Sequence, residues 1–305
     1  NPIIITPLPL YHIFSLTANC FIFSYLGSLN VLIPNPRDID GFIKELKKWK
    51  FTAFTGVNTL FNALLGNPKF KECDFSKLKV TLGGGMAVQR LVAEKWKEVT
   101  KAPLIEAYGL TETSPAACIN PLTLQEYNGK IGLPIPSTIV SIKNDDGQDL
   151  PIGEVGEICI KGPQVMRGYW NRPEETKKVM TEDGFFRTGD IGFMDKEGYF
   201  EIVDRKKDMI LVSGFNVYPN EVEEVVVAHP KVFECAAVGK EDEKSGEMVK
   251  IFVVKKDDSL SEEELKTYCK ENLTGYKRPR EVVFREELPK SNVGKILRKE
   301  LRKDA

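Results

Sequence analysis

Short β-rich runs alternate with amphipathic segments over the first 109 residues, and this alternation leaves few folds open to the chain. The predicted strands are residues 3–6, 30–33, 52–55, 78–82 and 104–108, and the predicted helices are residues 15–26, 38–49, 59–65 and 88–99. Strands and helices that alternate in this way build a largely parallel sheet with helices packed on it. We therefore predict an α/β layer over residues 1–115.

The pattern changes twice after this layer. Short strands separated by turn dipeptides such as Asp146-Gly147 predict a β-rich barrel subdomain over residues 116–203, with one helix over residues 173–180. Amphipathic helices, one of them preceded by a capping box of Ser261 and Glu264, and two strand-like runs predict a small α+β domain over residues 209–305. The charged run 204–208 lies between them and is a candidate hinge, although such a run is more often solvated surface. The predicted fold class is therefore α/β plus α+β.

Composition excludes several functional classes. Basic and acidic residues nearly cancel, at 43 and 44, so no net charge attracts nucleic acid or an anionic membrane. The six cysteines form no CxxC pair, which argues against a zinc site or a disulfide framework and indicates a reducing cytoplasm.

Residues 13–33 are apolar but contain polar interruptions, so we expect a buried helix and a strand rather than a membrane span. The chain starts without Met and is interpreted as a piece of a longer protein.

A glycine run and a polar motif follow two neighbouring predicted strands. Gly83, Gly84 and Gly85 precede a helix, where bare N–H groups favour a nucleotide or an anion, but a packing turn is an equally good interpretation. Residues 108–113, Tyr-Gly-Leu-Thr-Glu-Thr, end the next strand, where open α/β sheets bind ligands. Glu112 beside a phosphate requires a bridging Mg²⁺; the alternative is a strand end with a helix cap.

Further candidates lie in turns and loops. Asp190 could accept both hydroxyls of a ribose and Arg205 could add donors, and each has an ordinary salt-bridge alternative. Lys295 follows a glycine in a polar loop, and by itself it is interpreted as a surface lysine. His12 follows a strand and is a candidate pocket residue, whereas His229 at a helix end is expected to be structural.

Four segments, in this order, resemble the adenylate-forming ligase superfamily and, within it, the bacterial long-chain fatty acyl-CoA ligases. They are YGLTET at 108–113, DGFFRTGD at 183–190, DRKKDMILVSGFNVYPNE at 204–221 and LPKSNVGKILR at 288–298. The resemblance covers essentially the whole chain. It implies the C-terminal half of a large acyl-adenylate-forming domain, with an α/β layer and a β-barrel subdomain, followed by a small mobile domain.

The resemblance implies roles for the matching residues. Five would hold the nucleotide: Gly84 and Tyr108 at the adenine, Thr111 at the α-phosphate, and Asp190 with Arg205 at the ribose. Glu112 would hold Mg²⁺, and Lys295 would be the catalytic lysine that bridges the fatty carboxylate and the α-phosphate. Four further positions complete the implied set: His12 and Gly83 in the acyl pocket, Lys207 at the hinge, and Gly214 beside the coenzyme A tunnel.

The implied activity is that of an AMP-forming long-chain fatty acid CoA ligase. The acid and ATP give an acyl-adenylate, and coenzyme A then displaces AMP while the small domain rotates between the two halves. ATP or AMP, Mg²⁺ and coenzyme A are the implied ligands, and no nucleic acid is expected. The lipid substrate makes peripheral contact with the inner face of the membrane an expectation for an otherwise cytoplasmic protein. The oligomeric state stays open.

Departures from the family pattern leave alternatives. The family's Ser/Thr/Gly-rich phosphate loop is absent, so the chain alone is predicted to be inactive. Leu16 stands where some relatives carry a tryptophan gate, which leaves the acyl chain length open. An amino-acid adenylation domain would need an acidic residue in residues 13–23, and there is none. A fatty acyl-AMP ligase serving a carrier protein and a bare nucleotide-binding module remain as alternatives.

Overall fold

The computed structural model describes residues 1–304, and its first sheet has seven strands in the order β2-β1-β3-β4-β5-β6-β7. These are β1 (Ile3–Thr6), β2 (Leu29–Leu32), β3 (Ala53–Gly56), β4 (Val80–Gly83), β5 (Leu104–Gly109), β6 (Ala116–Ile119) and β7 (Leu133–Pro134). The first five strands pair in parallel, which confirms the predicted parallel sheet, and β6 and β7 pair antiparallel. The chain between β5 and β6 is too short for a crossover, so β6 returns beside β5. The boundary predicted after residue 115 therefore falls inside this sheet.

Helices cover this sheet around an aromatic core. They are α1 (Ile13–Ser15) and α2 (Phe23–Tyr25), which flank a π-helical segment (Leu16–Ile22), then α3 (Ile39–Leu46), α4 (Asn58–Gly66) and α5 (Arg90–Thr100). Trp96 of α5 lies edge-on to Phe61 of α4, with ring centroids 4.8 Å apart, and is fully buried. Its indole N–H donates to Thr81 Oγ1 at 3.1 Å, so the one polar atom of the ring is satisfied inside the core.

The helical segment over residues 13–25 is not the buried helix that the apolar sequence predicted. Its polar Asn19 is fully buried, and the Asn19 side chain donates to Thr6 and accepts from Thr55. Phe21, Ile22 and Tyr25 are exposed instead. The buried hydrogen bonds decide which face points inward, because an unpaired amide inside the protein would cost more than the exposed apolar rings. No helix within residues 1–304 is long and apolar enough to span a bilayer.

The second sheet has four strands in the order β11-β10-β9-β8. They are β8 (Ile139–Lys143), β9 (Gly156–Lys161), β10 (Phe186–Met194) and β11 (Phe200–Arg205), and helix α6 (Pro173–Val179) precedes β10. Among the described residues the two edge strands do not pair with each other, so the predicted barrel is not closed. Phe200 of β11 forms a bridge to Gly132 instead, which occupies the edge that a closed barrel would need.

The last sheet runs in the order β13-β12-β15-β14, and β16 also pairs with β15. Its strands are β12 (Ile210–Val212), β13 (Phe215–Val217), β14 (Val232–Asp242), β15 (Gly246–Lys255) and β16 (Glu281–Arg285), and its helices are α7 (Pro219–Val227), α8 (Glu262–Asn272) and α9 (Arg298–Leu301). Ser261 caps α8 by accepting from the Glu264 N–H at 3.1 Å, as the sequence predicted. Helices beside a mixed sheet confirm the α+β class predicted for this part of the chain.

The chain divides into two compact units. The first comprises Asn1–Thr188, Gly192–Ile202 and Asn292–Lys295, and the second comprises Gly189–Ile191, Val203–Ser291 and the chain from Ile296 onward. The short segment Asn292–Lys295 thus packs with the first unit although the chain on both sides of it belongs to the second.

Candidate functional site

The three glycines at the end of β4 are each required by local geometry. A Cβ atom on Gly83 would lie 2.6 Å from Leu104 Cδ2, and one on Gly84 would lie 3.0 Å from the Ala107 carbonyl oxygen. Gly85 has a φ of +77°, in the left-handed region that suits glycine. The packing-turn interpretation therefore holds for Gly83 and Gly84, and their roles at the acyl pocket and the adenine stay predictions.

A buried carboxyl group holds the segment that follows these glycines. Glu106 on β5 accepts the Val88 N–H at 3.0 Å, while the Tyr127 hydroxyl donates to the Val88 carbonyl oxygen. The next N–H, of Gln89, donates to Asn58 Oδ1 at 2.9 Å. Burial raises the pKa of Glu106 to about 8, so this carboxyl is largely protonated at neutral pH. Sequence reasoning missed Glu106; a lone charge in the apolar run 104–108 was the available signal.

The end of β5 makes a tight reversal. Tyr108 is buried, and a Cβ atom on Gly109 would lie 1.7 Å from the Pro115 carbonyl oxygen, so only glycine fits at position 109. The Leu110 N–H donates to Thr113 Oγ1 at 2.9 Å, which closes a 3-10 turn over Thr111–Thr113. Thr113 thus supplies the helix cap that was the alternative interpretation of this motif. The side chains of Thr111 and Glu112, between Leu110 and Thr113, do not take part in this cap.

Thr111 and Glu112 lie at this strand end. The Thr111 side chain is exposed, and Glu112 accepts the Tyr169 hydroxyl at 2.9 Å. The pKa of Tyr169 rises to about 12, first because the phenol is desolvated and then because it donates to the Glu112 carboxylate. Tyr169 is a second residue that sequence reasoning missed, and nothing in its local sequence marked it.

Glu112 is the one predicted metal ligand, and the described residues around it limit how an ion could be held. Within residues 1–304 no group of three His, Cys, Asp or Glu side chains is arranged to enclose a metal. Mg²⁺ is usually held by one or two carboxylates and completes its shell with phosphate oxygens and water. A lone carboxylate at the strand end is compatible with a divalent cation that takes its other ligands from phosphate and water, and the magnesium role of Glu112 stays a prediction.

The segment Asn292–Lys295, which we call the lysine loop, packs in the first unit, where Asn292 Nδ2 donates to the Tyr11 hydroxyl oxygen at 3.4 Å. Thr59 Oγ1 donates to the Gly294 carbonyl oxygen at 3.0 Å, and Gly294 has a φ of +81°. His12 Nδ1 accepts the Phe14 N–H at 3.3 Å and so caps α1. The pKa of His12 is lowered, first by burial and then by the positive charge of Lys295. The hydrogen bonds to Gly294 and from Asn292 therefore place this loop near Tyr11 and Thr59, which the sequence alone did not indicate.

Asp190 and Arg205 form a pair in the second unit. Arg205 Nε lies 3.2 Å from Asp190 Oδ1, and the Lys206 N–H donates to the Gly189 carbonyl oxygen at 2.9 Å. Asp190 is buried, while Arg205 is partly exposed. The salt-bridge interpretation is therefore correct as geometry, and the role of the two residues at a ribose stays a prediction.

The charged run 204–208, which begins in the last two residues of β11, is anchored at both ends. Asp204 and Asp208 are buried, whereas Lys206 and Lys207 are exposed. Burial raises the pKa of Asp204 to about 6 despite the opposing charge of Arg298, whose guanidinium lies 4.0 Å from Asp204 and 3.6 Å from Asp208. The run is therefore not simply solvated surface, and the hinge role of Lys207 stays a prediction.

Gly214 occupies a β-turn between β12 and β13. Its φ is +83° and that of Ser213 is +51°, while a Cβ atom on Gly214 would meet nothing within 4 Å. Backbone conformation rather than close packing therefore accounts for this glycine. Its place beside a coenzyme A tunnel stays a prediction.

Family models match both parts of the chain. A model described as AMP-binding enzyme matches residues 1–170, and one described as AMP-binding enzyme C-terminal domain matches residues 221–295. The long-chain-fatty-acid–CoA ligase of Escherichia coli O6:H1 is 59% identical over 303 residues, covering 99% of this chain and 54% of its own. That of Bacillus subtilis is 42% identical over 295 residues, covering 96% and 52%. The chain spans about half the length of the curated relatives it matches.

Solved structures share the fold. ATP-bound MatB from Rhodopseudomonas palustris superposes with a TM-score of 0.92 at 31% identity, covering 100% of this chain and 60% of its own. The anthranilate CoA ligase AuaEII in complex with anthranoyl-AMP has the same TM-score of 0.92 at 29% identity and the same coverage. Both similarities extend over the two units and the lysine loop.

Proposed function

The chain belongs to the family of AMP-binding enzymes, and on that premise we propose that it carries the nucleotide-binding and lysine-bearing part of an AMP-forming long-chain fatty acid CoA ligase. The names of relatives at 58–60% identity support the substrate class. The observation that carries the proposal is the place of Lys295. Its segment packs in the same unit as Tyr108, Thr111 and Glu112, and its charge lowers the pKa of His12.

In the proposed first half-reaction, a carboxylate oxygen of the fatty acid attacks the α-phosphorus of ATP and pyrophosphate leaves. Negative charge grows on the oxygens around the α-phosphorus, and the Lys295 ammonium stabilises it from a fixed position. The Thr111 hydroxyl donates a hydrogen bond to an α-phosphate oxygen, and the Asp190 carboxylate accepts hydrogen bonds from the ribose hydroxyls. Mg²⁺ held by Glu112 would neutralise phosphate charge.

In the proposed second half-reaction, the sulfur of coenzyme A attacks the acyl carbonyl carbon and AMP leaves. Lys207 serves as the pivot for the small domain, and Gly214 borders the pantetheine chain. The left-handed φ of Gly214 accounts for the glycine by itself, so its part beside the pantetheine chain rests on the motif over residues 204–221.

We propose that the protein acts in the cytoplasm with peripheral contact at the inner face of the membrane. Six free cysteines are consistent with a reducing compartment, and a long-chain substrate partitions into lipid. Co-sedimentation with anionic vesicles in the presence and absence of a fatty acid tests the contact, and equal recovery in the supernatant under both conditions contradicts it.

The decisive assay uses the chain itself and a chimera in which it replaces the matching 303 residues of the Escherichia coli O6:H1 relative. We expect the chimera to catalyse fatty-acid-dependent ATP–pyrophosphate exchange and coenzyme A-dependent AMP release, tested with acids of increasing length. The chain alone is expected to show no exchange. Exchange without any response to coenzyme A favours a fatty acyl-AMP ligase, and an inactive, folded chimera contradicts the proposal.

A further inference from the structure

One loop holds Glu112 at two points although it lies more than fifty positions further along the chain. The Tyr169 hydroxyl donates to Glu112 Oε1 at 2.9 Å, and the Met166 N–H donates to the Glu112 carbonyl oxygen at 2.8 Å. The backbone bond sets where Glu112 lies, and the hydroxyl bond sets the rotation of its carboxylate. Both constraints come from the segment between β9 and α6.

That segment is itself pinned to α6. The Tyr169 N–H donates to Thr176 Oγ1 at 2.9 Å, and Thr176 Oγ1 donates to the Arg172 carbonyl oxygen at 2.9 Å. A Cβ atom on Gly168 would lie 2.7 Å from Thr176 Cγ2, and the φ of Gly168 is +151°. The backbone of Tyr169 therefore has little freedom, so its hydroxyl is a fixed donor.

The chemistry of this donor suits a metal ligand. A lysine or arginine on Glu112 would cancel the negative charge that a divalent cation needs. A neutral phenol leaves that charge in place while its hydrogen bond, charge-assisted and directional, orients the carboxylate. Partners of this kind fix the orientation of metal ligands and commonly change metal affinity when removed.

We propose that Tyr169 is a positioning residue for the divalent cation. It holds Glu112 by one oxygen so that the other is presented to the cation on the nucleotide phosphates. This inference rests on the proposed function, in which Glu112 is the magnesium ligand.

The test measures Mn²⁺ binding with ATP in the chimera, by water proton relaxation, in the absence of fatty acid. Tyr169→Phe removes one hydroxyl and keeps the ring. We expect Mn²⁺ affinity to fall about 10- to 100-fold, with ATP affinity without metal unchanged. Tyr25→Phe removes the same atom from a ring that is 92% exposed and is expected to change neither value.

Two further variants separate the possible failures. Glu112→Gln is expected to abolish the contribution of the protein to Mn²⁺ binding with ATP. Adding Tyr169→Phe to Glu112→Gln is expected to have no further effect on the Mn²⁺ affinity. Thr176→Val loosens the loop without touching the carboxylate and is expected to weaken Mn²⁺ binding in the same direction. Unchanged Mn²⁺ affinity in folded Tyr169→Phe, with loss in Glu112→Gln, overturns the inference alone. Unchanged affinity in Glu112→Gln overturns the magnesium role on which the inference rests.

Discussion

Two side chains of the first unit, Glu106 and Lys295, differ in their charge state: the buried carboxyl group is neutral, and the ammonium group is charged. Glu106 is buried under the segment after β4, and desolvation keeps its carboxyl protonated. Lys295 carries a charge that reaches His12 and lowers its pKa. The first side chain is therefore expected to act through structure and the second through charge, and each expectation can be measured.

Glu106→Gln should remove a pH dependence of stability. Because the folded pKa of about 8 lies above the ordinary 4.5, the contribution of Glu106 is fully present below about pH 4.5 and is lost as pH rises through about 8. We expect the wild-type chain to lose on the order of 3 kcal/mol more than Glu106→Gln between about pH 5 and about pH 8. Urea unfolding followed by the fluorescence of buried Trp96 measures this difference. Parallel pH profiles for the two proteins would contradict the assignment.

Lys295→Ala should separate the two half-reactions. Without the fixed cation we expect acyl-adenylate formation in the chimera to slow by about 10² to 10³, with transfer from preformed acyl-adenylate to coenzyme A little changed. Rapid quenching of each half-reaction provides the measurement. Lys299→Ala, at an exposed position, is the matched control. Equal losses in both halves would remove the role assigned to Lys295.

Helix α9 and the charged run after β11 are joined by a buried ion network. Arg298 on α9 makes two hydrogen bonds to the Glu223 carboxylate, at 2.9 and 2.7 Å, and lies near Asp204 and Asp208. Arg298 thus faces three acidic groups that are largely out of water, and Arg302 also pairs with Asp208 at 2.6 Å. Elements that are far apart in sequence are held together here by charge in addition to apolar packing, since α9 also buries Leu301 in an apolar cluster.

Arg298→Ala should destabilise the second unit. Removing the guanidinium takes the cation away from Glu223 and the buried Asp204, whereas Asp208 keeps Arg302, and we expect a cost of about 3–5 kcal/mol. Since all three tryptophans lie in the first unit, hydrogen exchange of the β14 and β15 amides is the suitable measurement. Arg285→Ala breaks an exposed pair with Asp304 and is expected to cost no more than about 1 kcal/mol. Equal protection of β14 in both variants would contradict this account of the network.

Across the whole molecule, apolar surface is distributed unevenly. Six large apolar side chains on the π-helical segment, α2, the following turn and β2 are exposed and form what we call the helix-edge patch: Phe21, Ile22, Tyr25, Leu26, Leu29 and Leu32. No charged residue occurs between His12 and Pro36. β2 is also an edge strand, whose unpaired backbone groups favour association.

The helix-edge patch should make the chain self-associate. We expect the sedimentation coefficient of the chain to rise with concentration, and the rise to diminish in the double substitution Tyr25→Lys and Leu26→Lys. Both side chains are exposed, so the free energy of unfolding should change little. Ile152→Lys, at an exposed turn outside the patch, is the control. A concentration-independent sedimentation coefficient in the unsubstituted chain would contradict the prediction.

Local pattern was enough to predict the alternating strands of the first sheet, the cap at Ser261 and the glycines at turns, because hydrophobic period and turn chemistry act over a few residues. The motifs also indicated the family and the candidate residues. Three features came only from the tertiary structure: the inward face of Asn19, the open second sheet, and the contacts of Glu106, Tyr169 and Lys295. Each depends on partners tens to hundreds of positions away, such as Thr55 for Asn19 and Thr59 for the Gly294 carbonyl. Burial and hydrogen bonding between such distant groups exist only once the chain has folded.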